Sequence, residues 1–91
     1  MSNVGLEKVP KCIGHFHNLK RLDFFGNKVS TIPKDCLPPS LTDINFRRNL
    51  ITDVDLSNLT KIHYISLSHN HLKSLDLRNA GKLYYLFVYN N

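Results

Sequence analysis

Five histidines, two cysteines and seven carboxylates are the groups in this 91-residue chain that could do chemistry. Two histidine pairs have H-x-H spacing, His15 with His17 and His69 with His71, and His63 lies a little upstream of the second. A zinc site needs further ligands in a closed tetrahedral arrangement. No Cys, Asp or Glu is spaced to complete one, so the imidazoles read as solvated and no metal is expected. Cys12 and Cys36 are too few for a disulfide scaffold and read as small buried hydrophobes. Asp55 and Asp76 stand 21 residues apart, each just before a Leu. Acid pairs that do catalysis do not recur with such a period, so these aspartates read as turn or connection hydrogen-bonders. Neither a glycine-rich phosphate loop, a nucleophile elbow nor H-E-x-x-H is present. The expectation is a chain that is not an enzyme and carries no cofactor. Asn58-Leu59-Thr60 is an N-glycosylation sequon, relevant only on a secretory route.

The elements that position these residues come from a repeat. "LKRLDFFGN" from Leu19, "LTDINFRRN" from Leu41, "IHYISLSHN" from Ile62 and "LYYLFVYNN" from Leu83 share L-x-x-L-x-L-x-x-N with conservative swaps. Their last residues, Asn27, Asn49, Asn70 and Asn91, are separated by 22, 21 and 21 positions. The match at 21 extends outside these segments, with Asn58 falling on Asn79 and Lys61 on Lys82. Units of this length that cannot bury an apolar face alone stack on their neighbours, each giving one strand and a return. After each strand the chain must turn, which leaves backbone groups facing inward. A buried group without a partner costs roughly 1–3 kcal/mol. Asn offers both an acceptor and two donors. Asn27, Asn49, Asn70 and Asn91 are therefore expected to form a ladder linking successive coils.

The pattern closely resembles the leucine-rich repeat family over essentially the whole chain. It divides into a half-repeat 1–18, repeats 19–40, 41–61 and 62–82, and a truncated repeat 83–91. Three flavours are mixed. "LEKVPKCIGHFHNL" is similar to the half-repeat of eukaryotic intracellular members, and "LPPSLTDINF" to the connection in bacterial effectors. "ITDVDLSNLTK" and "LKSLDLRNAGK" are similar to the short repeats of bacterial surface proteins. The resemblance implies an α/β-type right-handed solenoid with one curved parallel β-sheet. Connections of about ten residues beside Pro33, Pro38 and Pro39 leave little room for helices, so irregular or 3-10 connections are expected. It also implies protein partners on the concave face.

Side chains alternate across a strand, which assigns the outward positions. They are Arg21, Asp23 and Phe25; Asp43, Asn45 and Arg47; Tyr64, Ser66 and Ser68; Tyr85, Phe87 and Tyr89. Arg48 and His69 follow at the lip. The early strands carry charge, with a basic cluster expected at Arg21, Arg47 and Arg48, and the last strand is aromatic. Tyr and Arg are enriched in binding hot spots, although aromatics also favour strands for their own sake. The function expected is a non-catalytic protein–protein interaction module. One alternative is the recognition part of a larger effector or enzyme, ubiquitin-ligase-like, acting on host or cellular proteins. Another is weak nucleic-acid binding, given the net charge of +5. Against the latter, the basic residues alternate with Asp23 and Asp43 and form no stripe.

Without an apolar run near the ~18 residues of a membrane span, or a signal-peptide core, a cytoplasmic protein is expected. For a viral or pathogen effector that means the host cell interior. The half-repeat from Leu6 to Phe16 covers the first strand. The last strand reads as an open edge, on which another strand can add. A homodimer through that edge is therefore expected.

Overall fold

In the computed structural model, residues 2–33, 36–77 and 80–91 are described, so Asn79 and the side chain of Cys12 lie outside the description. Six short strands follow one another: β1 (Arg21–Asp23), β2 (Thr31–Ile32), β3 (Asp43–Asn45), β4 (Asp53–Val54), β5 (Tyr64–Ser66) and β6 (Tyr85–Phe87). A 3-10 helix, Lys11–His15, precedes them, and no α-helix occurs among the described residues.

The odd members and β6 form a four-stranded parallel sheet in the order β1-β3-β5-β6. Its register follows the sequence repeat: Arg21 pairs with Asp43, Asp43 with Tyr64, and Tyr64 with Tyr85. Pairing continues past the strand ends. Gly26 N donates to Arg47 O at 3.0 Å, Arg48 N to Ser68 O at 3.1 Å and His69 N to Tyr89 O at 3.1 Å.

A single sheet is not the whole architecture. β2 and β4 form a second, two-stranded parallel sheet, Thr31 against Asp53 and Ile32 against Val54. The returning chains stack as regularly as the strands do. Leu50 N reaches Val29 O, Thr52 N reaches Ser30 O and Asp55 N reaches Ile32 O, each at 2.9 Å. The β-branched residues Val29, Thr31, Ile32, Ile51 and Val54 favour this extended backbone.

The core lies between the two sheets. Alternate strand residues enter it as the period of two requires: Leu22 and Phe24, Ile44 and Phe46, Ile65 and Leu67 are all buried. Val29, Ile32, Ile51, Leu59 and Ile62 meet them from the return side. Phe24 and Phe46 stack with ring centroids 5.3 Å apart. Burying each such side chain stabilises the fold by about 1.5–3 kcal/mol. The matching residues of the last unit are only partly covered, Leu86 and Val88 staying 37% and 38% exposed.

Each strand of the four-stranded sheet ends in a turn with a common design. The residue before the inward Asn adopts left-handed backbone: Gly26 (φ 73°), Arg48 (59°), His69 (58°) and Asn90 (57°). The carboxamide then ties coils together. Asn49 Oδ1 accepts Val29 N at 3.1 Å, while its Nδ2 donates to Phe24 O at 2.9 Å and Phe46 O at 3.0 Å. Asn70 repeats this one coil on, with Ile51 N at 3.0 Å and with Phe46 O and Leu67 O at 2.9 Å. Asn91 accepts Leu72 N at 3.0 Å and donates to Leu67 O and Val88 O. At the other end Asn27 accepts Val4 N and Leu6 N. Residues 3–6 thus run along the first turn, with Asn3 N bonded to Phe25 O and Lys28 N to Leu6 O.

Candidate functional site

The register places the outward residues on a grid of rows running across the sheet. At the strand starts lie Arg21, Asp43, Tyr64 and Tyr85. Arg21 Nε stands 4.0 Å from Asp43 Oδ2 with both side chains solvated, a pair that contributes little to stability. Tyr64 leans on Phe87, ring centroids 5.7 Å apart, and on Tyr85 at 6.4 Å. The middle row is Asp23, Asn45, Ser66 and Phe87. Here Asp23 Oδ1 accepts Phe25 N at 2.9 Å and Asn45 Oδ1 accepts Arg47 N at 3.0 Å. Both are local side-chain turns, so these two acceptors already serve the strand exit.

Continued pairing makes Phe25, Arg47, Ser68 and Tyr89 the third row. The guanidinium of Arg47 lies 5.8 Å from the Tyr89 ring centroid, within cation–π range. Ser68, between them in the row, is fully buried, and Ser66 is buried as well. Both serines take outward positions as expected, yet neither stands free in solvent: each is the short residue of its row, between longer neighbours. Arg48 is exposed at the rim. His69 packs edge-on against Tyr89 with centroids 5.3 Å apart. Partial burial, then the positive charges of Arg48 and Arg47, hold its imidazole below the usual value. Arg47 and Arg48 thus share one electrostatic neighbourhood, while Arg21 faces Asp43 at the other end of the strands.

The short Ser66 lies in a cleft of ≈ 400 Å³ on this face. Ser66 and Asn45 line it along with Arg47, Phe25, Tyr64, Phe87 and Tyr89. The aromatic wall is largely in solvent, Tyr89 being 49% exposed and Phe87 40%, and Tyr85 beside it is 61% exposed. Polar donors and exposed rings at one place can hold a ligand by hydrogen bonds and stacking. The sequence reading named each of these residues yet missed the depression. The available signal was that Ser66 and Ser68 are the only small residues among the twelve outward positions.

The remaining candidates sit elsewhere. Among the described residues no group of three His, Cys, Asp or Glu is placed to hold a metal ion. His15 and His17 are exposed around Phe16. Asp55 Oδ1 accepts Ser57 N at 2.9 Å. Cys36 is half-buried with a free thiol, and burial pushes its pKa up. The carboxamide of the sequon residue Asn58 donates to Leu37 O at 3.1 Å, tying two returns together. No helix of the described residues is long and apolar enough to cross a membrane. Compared with known proteins, the chain matches no family model and no curated protein.

Proposed function

We propose that this chain is a non-catalytic protein-binding module of the leucine-rich repeat type. In this reading the stacked units form a short right-handed solenoid, and the partner docks on the concave face of the four-stranded sheet. The register of 21 or 22 residues between paired strands and the carboxamide at the end of each supports the repeat family. The observation that carries the function is the display of Tyr85, Phe87 and Tyr89. The fold does not need these rings, since its core side is filled by Leu86 and Val88, yet they stand in solvent, Phe87 and Tyr89 lining the cleft. Tyr and Arg dominate binding hot spots because they bring large contact area and hydrogen bonds at low entropic cost.

Quantitative affinity capture from a cell extract tests the reading. The double substitution Tyr85→Ser/Phe87→Ser should lose the captured partner with the fold intact, whereas Lys61→Glu, on the return side, should keep it. Loss of the partner in Lys61→Glu, with the double variant silent, would place the partner elsewhere. A second contact is favoured by β6 itself. It is an edge strand, and Leu86 and Val88 on its inner side are partly exposed, which suits pairing with another copy. Sedimentation of the chain and of Val88→Lys at micromolar concentration decides this: dimer for the first, monomer for the second.

A further inference from the structure

The cleft holds more polar capacity than the fold uses. Arg47 Nε and Ser68 Oγ are the buried side-chain atoms with no hydrogen-bond partner among the described residues, and of the two residues Arg47 lines the cleft. Leaving a buried donor unmet is unfavourable, and native structures rarely tolerate it without cause. Arg has five donors and no acceptor, so whatever completes this site must accept. The cleft lining contains one cation, Arg47, and no carboxylate. The only ion pair among the described residues is Arg21 with Asp43, so Arg47 is not neutralised. Arg48 adds to the positive field at the rim, and the chain as a whole carries +5. The Tyr89 ring steadies the guanidinium from one side, and Phe87 and Tyr64 give the opening an apolar wall.

We infer that the cleft receives the carboxylate of an acidic side chain from the bound protein, seated on Arg47, with an apolar or aromatic neighbour of that side chain resting on Phe87 and Tyr64. This rests on the protein-binding reading above and specifies its chemistry. A planar carboxylate suits the fork of the guanidinium, where a Lys would offer only a point charge. The volume of ≈ 400 Å³ takes one or two side chains and no long segment. The contact is thus a single anchor within a wider interface, in the manner of buried Arg hot spots.

The experiment is an NMR titration of the full chain with three probes: the blocked dipeptide acetyl-Glu-Phe-amide, its isostere acetyl-Gln-Phe-amide, and inorganic phosphate. The Glu peptide should shift the Arg47 Nε–H resonance and the Ser66 and Ser68 amides. It should bind about tenfold more tightly than the Gln peptide, the size of one charge-assisted hydrogen bond. Arg47→Gln should remove that difference without lowering the melting temperature, because it also removes an unmet donor. Arg47→Lys should restore only part of it. Should Arg47→Gln fail to fold, Arg47→Lys and the wild-type Nε–H shift give the same reading. Equal binding of the two peptides, with shifts confined to the sheet face, overturns the carboxylate while leaving the protein-binding face standing. Shifts outside the face, or none at millimolar peptide, overturn both. Phosphate binding as tight as the Glu peptide overturns the protein as the source of the anion.

Discussion

Replacing Asn70 with Ala tests what the carboxamide series contributes, because its bonds can be taken one at a time. Asn70 Oδ1 is the acceptor for Ile51 N, and Ile51 is fully buried. Without it that amide has no partner, at a cost of roughly 1–3 kcal/mol. The carbonyls fare better. Phe46 O keeps its bond from Asn49, and Leu67 O keeps its bond from Asn91. Losing one of two donors to each carbonyl adds about 1 kcal/mol in all, for a total of roughly 2–4 kcal/mol. Asn91→Ala removes equivalent bonds, but its partners Leu72 N and Val88 O reach solvent. Water replaces the side chain there, and the cost falls to about 0.5 kcal/mol. With a urea slope near 1 kcal/mol per molar for a small domain, Asn70→Ala should move the midpoint by about 2–4 M and Asn91→Ala by roughly 0.5 M. Sucrose keeps the weaker variant folded enough to measure. The double variant Asn49→Ala/Asn70→Ala strips Phe46 O of both donors and should exceed the sum of the singles by roughly 1 kcal/mol. If Asn70→Ala and Asn91→Ala came out within about 0.5 kcal/mol of each other, the buried amide of Ile51 would not be what the side chain serves.

Gly26→Ala should destabilise the fold by about 1–3 kcal/mol in a thermal melt, since φ is 73° and the new Cβ would strike the carboxamide of Asn3. His69 gives a pH dependence of defined sign. Its folded pKa is lowered by burial and by Arg48 and Arg47, so the unfolded chain takes the proton first. Stability should therefore fall as pH drops through the ordinary histidine value of about 6.5. His69→Gln should flatten that part of the stability–pH curve, and a His69 proton titration should give a midpoint below that of a free imidazole.

Inward residues are legible in this sequence because their constraint repeats. Leu22, Ile44, Ile65 and Leu86 answer to the same geometry, as do the four asparagines, so four copies reinforce one another. Strand pairing in steps of 21 or 22 follows from that alone. The second sheet was harder to read. Its strands, Thr31–Ile32 and Asp53–Val54, are two residues long, and the first lies in a connection where Pro33, Pro38 and Pro39 suggest irregular chain. β-Branched residues at matching offsets were the trace of it. The outward face repeats nothing, so each residue there must be read by itself, and alternation gives its direction but not its exposure. Ser66 and Ser68 point outward and are nevertheless buried, because exposure depends on how far Arg47, Phe87 and Tyr89 reach over them. The bond between Asp23 Oδ1 and Phe25 N is a local matter that an outward assignment does not register.

The same strand that displays the aromatics is the one the core holds least. β6 has one neighbour in the sheet, its inner residues Leu86 and Val88 are partly in solvent, and the carboxamide after it bonds to exposed groups. At the other end, Val9 and Ile13 of the N-terminal segment are buried, and Asn27 accepts two amides from the chain lying over it. Local opening follows burial and hydrogen bonding, so stability should be graded along the sheet, highest around β3 and β5. Arg47 belongs to the firm part and Tyr89 to the loose part, and the cleft lies between them. A ligand seated on Arg47 and against Phe87 would touch both. It would gain less than a rigid site offers, because ordering β6 has a cost. In return it would fix the strand that the core leaves loosest, so binding there and order in β6 should rise together.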